Sequence, residues 1–138
     1  MRAFKKMGGT FLGALDVRAM PDGVNWMLLG EFRYVARDGR VITVPAGFVT
    51  DFASIPRLLW TIAGAPATGK YRRAAVVHDW IYRTADVAMT RAQADRLFLE
   101  MMEADGCAWW RREVLYDGVV VGGWASFVPR VFSAPWPD

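Results

Sequence analysis

"VITVPAGFVTDFASIPRLLWTIAG", Val41 to Gly64, is the stretch on which the fold class turns. Its first half alternates: Ile42 and Val44 fall on one face and Val41 and Thr43 on the other, the two-residue period of a half-buried strand. "PAG" at Pro45–Gly47 closes that strand. After Asp51 the pattern becomes helical, with Ser54 placed to accept from the first turn, Pro56 within that turn and Gly64 as a stop. The chain changes from strands to helices at this point.

Upstream, "PDG" at Pro21–Gly23 and "RDG" at Arg37–Gly39 are turn signals between segments rich in Val, Phe, Tyr and Leu. Phe32, Tyr34 and Ala36 alternate with Arg33, Val35 and Arg37, so an antiparallel β-meander is expected over about 10–52. Downstream, helical spacing predicts a short helix from Ser54, a second from about Tyr71 to Arg83, a third from Arg91 to about Ala104 and a fourth from Trp109 to Phe127. The third is the most clearly bounded, since Thr90 and Gln93 have capping-box spacing and Gly106 follows its last turn. The Gly122–Gly123 pair is a weak point in the fourth, and three prolines make 129–138 irregular. The expectation is one α+β domain over 1–138, a meander followed by a bundle of three to four helices over about 53–128.

Composition agrees with one folded unit. The chain has 138 residues, 54% hydrophobic and 14% aromatic, enough to bury a core without a staple. A net charge of +3, with scattered arginines, gives no reason to expect specific nucleic-acid binding. The lone Cys107 rules out an internal disulfide and any cysteine-rich zinc site and reads as a small hydrophobe. "MGGTFLGAL" is too short and glycine-broken for the apolar part of a signal peptide. "VVVGGWASFV" falls far below the ~20 residues that span a bilayer, so an integral membrane protein is not expected.

The chemistry is concentrated in "AAVVHDWIY", Ala74–Tyr82, which holds the single histidine. Tyr82 stands one helical turn beyond His78, and Asp79 lies about 100° round the helix. On the third helix Asp95 shares an apolar stripe with Phe98, Leu99 and Met102, where an unpaired carboxylate would be costly. If the two helices pack antiparallel across "TADVAM", His78 and Tyr82 become its partners. An Asp95 carboxylate holding one imidazole nitrogen leaves the other as a base, which is half of a hydrolase. The same residues also make a polar knot between helices with no catalytic task, so both readings stand.

Other constellations are weaker. A metal phosphohydrolase needs further histidines, a zinc site of His78, Asp79, Asp95 and Asp51 would be an unusual ligand set, and no nucleophile elbow surrounds Ser54. A Cys107–His78 dyad has no local signature. Asp51, in "TDFASIP", either lines the His78 cleft or closes a turn. Trp109, Trp110, Trp124 and Trp136 with Phe127 and Phe132 suit an assembly contact, hence an oligomer, or, beside Arg111, Arg112 and Arg130, a lipid interface.

The blocks "VPAGFVTDFASIPRLLW", "GKYRRAAVVHDWIY" and "MTRAQADRLF" resemble, in order, the phage- and prophage-borne family catalogued as domain of unknown function 1353, over about Val44 to Gly122. That resemblance implies a phage or prophage source and carries no activity. It places the chain in the host cytoplasm during infection or in the virion, with other phage proteins or host envelope lipid as partners. Over about 25 residues, "AAVVHDWIY" and "ADRLF" are also similar to phospholipases A2 of the parvovirus capsid type. This second resemblance implies His78 as the base, Asp95 orienting it, Tyr82 steadying Asp95, and Asp79 as a calcium ligand. Those enzymes carry a glycine-rich calcium loop upstream of the histidine, where this chain has only Gly64 and Gly69, so Asp51 is the candidate to contribute instead. Two functions are expected from this reading: a small calcium-assisted hydrolase, or a non-enzymatic virion or assembly protein.

Overall fold

The computed structural model describes residues 9–51, 71–84 and 86–122. Among the described residues it is an α+β arrangement in which antiparallel strands precede three helices. The strands are β1 (Thr10–Leu12), β2 (Val17–Ala19), β3 (Trp26–Leu28), β4 (Phe32–Val35), β5 (Val41–Val44) and β6 (Val49–Thr50). The helices are α1 (Arg72–Arg83), α2 (Arg91–Ala104) and α3 (Trp109–Gly122). The helix expected from Ser54, the continuation of the last helix to Phe127 and the tail lie outside the described residues.

The strands are antiparallel as expected, but they divide into two three-stranded sheets, ordered β1-β4-β5 and β2-β3-β6, instead of running as one meander. The two predicted turns are present and make the hairpins β2–β3 and β4–β5, with positive φ at Gly23 (+73°) and Gly39 (+94°). Each sheet is completed by a strand distant in sequence. β1 pairs with β4 through Phe11↔Tyr34, and β6 pairs with β3 through Trp26↔Thr50. Period-2 patterning tells which face of a strand is buried and not which strand lies beside it, so the hairpins were readable and the division was not.

The buried face is the one the alternation indicated. Phe32, Tyr34, Ala36, Ile42 and Val44 enter the core, with Val35 only half-buried and Arg33 exposed. They meet α1 and α2, whose Ala74, Ala75, Val77, Ile81, Phe98 and Met101 are fully buried. α2 begins with a complete capping box, the Thr90 hydroxyl accepting from the Gln93 N–H while the Gln93 side chain accepts from the Thr90 N–H. It ends at Gly106, φ +77°, where Cys107 N–H reaches Met102 O and Gly106 N–H reaches Glu103 O. This pair of bonds is a Schellman motif, and Cys107 is the buried apolar residue beyond it.

Cross-links set the orientation. Arg73 at the start of α1 pairs with Asp105 just past the end of α2, so the two helices run antiparallel, with His78 and Asp95 meeting between these ends. The sheet is latched to α2 by Tyr34, whose hydroxyl donates to Glu100 Oε2 at 2.5 Å and accepts from the Gly9 N–H at 2.9 Å. Burial and the neighbouring Glu100 carboxylate raise the Tyr34 pKa, keeping its hydroxyl protonated.

Candidate functional site

α1 carries buried residues on most of its circumference, so the polar atoms of His78, Asp79 and Tyr82 must find partners inside the protein. His78 Nε2 lies 2.9 Å from Asp95 Oδ1, and the Tyr82 hydroxyl donates to the same oxygen at 2.5 Å. One carboxylate oxygen thus receives both groups, as the spacing predicted. The His78 ring packs against the rings of Tyr82 and Phe98, with centroids 4.2 and 4.6 Å away. Burial, reinforced by Asp95, raises the Tyr82 pKa and keeps that hydroxyl a donor.

A fourth member, Arg91, was not singled out from the sequence. Its Nε donates to the Tyr82 hydroxyl at 3.1 Å and lies 3.9 Å from Asp95 Oδ2. Its Nη2 donates to the carbonyls of Val119 and Val120, at 2.7 and 2.5 Å. A cation there satisfies carbonyls at the negative end of the α3 dipole, so α1, α2 and α3 are tied through one group. The readable signal was the i,i+4 spacing of Arg91 and Asp95.

Asp79 and Asp51, expected as metal ligands, form a second cluster. Asp79 is wholly buried; its Oδ2 accepts from the Thr50 hydroxyl and from Arg83 Nη1, the latter at 3.3 Å. The same Nη1 lies 3.6 Å from Asp51 Oδ1, so Asp51 does belong to this part of the molecule. Asp79 Oδ1 is buried with no hydrogen-bond partner. Burial pushes the Asp79 pKa above the ordinary carboxylate value, against the opposing influence of Thr50 and Arg83. Thr50 and Arg83 also went unnoticed in the sequence, although Asp79 and Arg83 stand at i,i+4.

These donors suit a guanidinium better than calcium. A hard cation of this size takes about six to eight oxygen ligands, whereas here a guanidinium already lies between the two carboxylates. No group of three or more His, Cys, Asp or Glu is placed to hold a metal among the described residues. The donor set does not fit calcium. Cys107 is buried near the end of α2, and Ser54 lies outside the described residues.

Two features bear on access. His78 is 0% exposed and Asp95 2%. A surface groove of about 460 Å³ runs beside Arg37, Arg96, Leu97, Glu100 and Glu103, and neither His78 nor Asp95 lines it. Among the described residues no helix is long and apolar enough to cross a membrane.

A family model described as "Protein of unknown function (DUF1353)" matches residues 26–119. Two similar proteins come from Sinorhizobium fredii (strain NBRC 101917 / NGR234). "Uncharacterized protein y4jT" is 33% identical over 96 residues, 70% of this chain and 28% of that protein. "Uncharacterized protein y4iH" is 34% identical over 122 residues, 86% of this chain and 50% of that protein. The chain therefore spans half or less of these relatives. No solved structure matches it.

Proposed function

The chain belongs to the DUF1353 family of proteins of unknown function, and from that premise we propose that it is a non-catalytic structural or assembly component of a phage or prophage, with a polar knot as its internal tie. The observation that carries this reading is the complete burial of His78 within a group whose members satisfy one another. A base for water attack has to meet both water and substrate. This imidazole lies between two rings and against a carboxylate that also holds Tyr82. The exposed apolar residues of α3, Trp109, Trp110, Val120 and Val121, suit a contact with another phage protein or a second copy.

A second reading, the hydrolase, is favoured by one specific feature. The Asp95 carboxylate 2.9 Å from His78 Nε2 favours the tautomer with its proton on Nε2, the way a carboxylate orients an imidazole base. The substrate would be an ester of host envelope lipid. Purified protein with neutral and anionic phospholipid vesicles separates the two. The structural reading expects no fatty-acid release with calcium or with a chelator, and expects the protein among the components of purified virions by mass spectrometry. Release that is lost in a folded His78→Gln variant would overturn it in favour of hydrolysis.

A further inference from the structure

α3 buries Leu115 and Val119, and its exposed residues gather on the opposite sector. At about 100° per residue, Trp109, Trp110, Glu113, Asp117, Val120 and Val121 all project within roughly 120° of arc. Four of these are large and apolar. Glu113 and Asp117, one turn apart between them, form no hydrogen bond or ion pair among the described residues. An unpaired acidic couple inside an apolar frame fits a surface that is apolar and basic.

The chain carries such a surface itself. Every described arginine except Arg18 has an ion pair, a hydrogen bond, a ring contact or another electrostatic interaction. Arg18 is exposed on β2, an edge strand of its sheet, directly across from the half-buried Met27. In the same hairpin Val24 is 45% exposed, and Leu29, next after β3, is 50% exposed. The Asp22 carboxylate of the turn is already occupied by the Val24 and Asn25 N–H groups and the Asn25 side chain. Asp16 forms no ion pair with Arg18 among the described residues.

We propose that the α3 face docks on the β2–β3 hairpin of a second copy of this chain, with Glu113 and Asp117 against Arg18, in a head-to-tail contact. The two surfaces lie on separate elements, since α3 packs on α2 while the hairpin pairs with β6. Each bound copy therefore still offers one free surface, and the contact extends until a ring closes or a filament grows. A twofold pairing of α3 with α3 is the poorer fit: centred on Leu115 and antiparallel, it sets Glu113 opposite Asp117, and acid meets acid. The inference deepens the structural role proposed above and rests on it for its purpose. Sedimentation of purified protein reads the contact alone, whereas virion composition and fatty-acid release read the role, so the two can fail separately.

Sedimentation velocity of the full chain is the test. Wild-type mass is expected to pass that of a dimer as concentration rises. Arg18→Glu, which blocks the hairpin, and Val121→Asp, which blocks α3, should each weaken association by at least about tenfold with helical circular dichroism unchanged, and Arg18→Lys should associate as wild type does. An equimolar mixture of the two blocked variants retains one good surface of each kind, so it should form a 1:1 dimer and nothing larger. Wild type that stays monomeric overturns the proposal and leaves the α3 face to a different protein. Arg18→Glu that associates like wild type overturns it in favour of an α3–α3 contact, and a mixture that stays monomeric overturns it as well. If either variant loses its helical signal, salt decides: about 1 M sodium chloride must weaken wild-type association by about tenfold, and association that holds or tightens overturns the proposal.

Discussion

Oδ1 of Asp95 meets His78 Nε2 and accepts from the Tyr82 hydroxyl, and Arg91 donates to that hydroxyl. Removing one of these groups leaves the buried Asp95 carboxylate short of a partner. Tyr82→Phe and His78→Gln should each lower the unfolding free energy by about 1 to 3 kcal/mol in urea titrations, with the fold retained. Asp79 gives a pH dependence of opposite character. Its carboxyl has a raised pKa in the folded state because burial disfavours the anion. The folded protein therefore holds a proton that the unfolded chain has released. The resulting stability is fully present below the unfolded pKa, near 3.8, and is lost as pH rises toward the folded value. Asp79→Asn should remove this loss, so its stability relative to wild type improves as pH rises above the unfolded value. His78, Tyr82 and Asp95 were legible in the sequence because helical spacing and a costly lone carboxylate identify them without tertiary knowledge. Thr50 was not, since it reaches Asp79 from a strand 29 positions upstream.

Helix ends carry local instructions that the sequence states openly. The Thr90–Gln93 box and the Gly106 stop are both where their residue types place them. Thr90→Ala should cost about 1 kcal/mol and Thr90→Ser far less, measured by chemical denaturation. Strands carry less information, because alternation fixes a face and leaves the partner open. β1 shows the difference: it lies in a glycine-broken segment, and its place beside β4 depends on a close approach at Gly9. A Cβ there would come within 2.0 Å of the Val35 carbonyl oxygen. Gly9→Ala should therefore detach the start of β1, seen as faster amide exchange at Phe11 while Ile42 stays protected.

At the scale of the molecule, α3 is the element that faces outward. Trp109 is 69% exposed and Val121 77%, and Trp110 and Val120 are exposed on the same helix. Concentration-dependent association is the expected result in sedimentation velocity, reduced by Val121→Asp without loss of helical signal. The Tyr34–Glu100 latch has a different consequence, in time. It joins residues 66 positions apart, whereas His78 and Asp95 are 17 apart. Closing the longer loop loses more chain entropy before any contact rewards it, so the helical pair assembles first and the sheet docks late. A contact that forms after the rate-limiting barrier affects mainly the reverse reaction. Tyr34→Phe should leave the refolding rate nearly unchanged in stopped-flow tryptophan fluorescence and accelerate unfolding by about 5- to 30-fold, the equivalent of 1 to 2 kcal/mol. The hydroxyl that holds sheet to helix thus governs how long the native state lasts, and has little influence on how quickly it is reached.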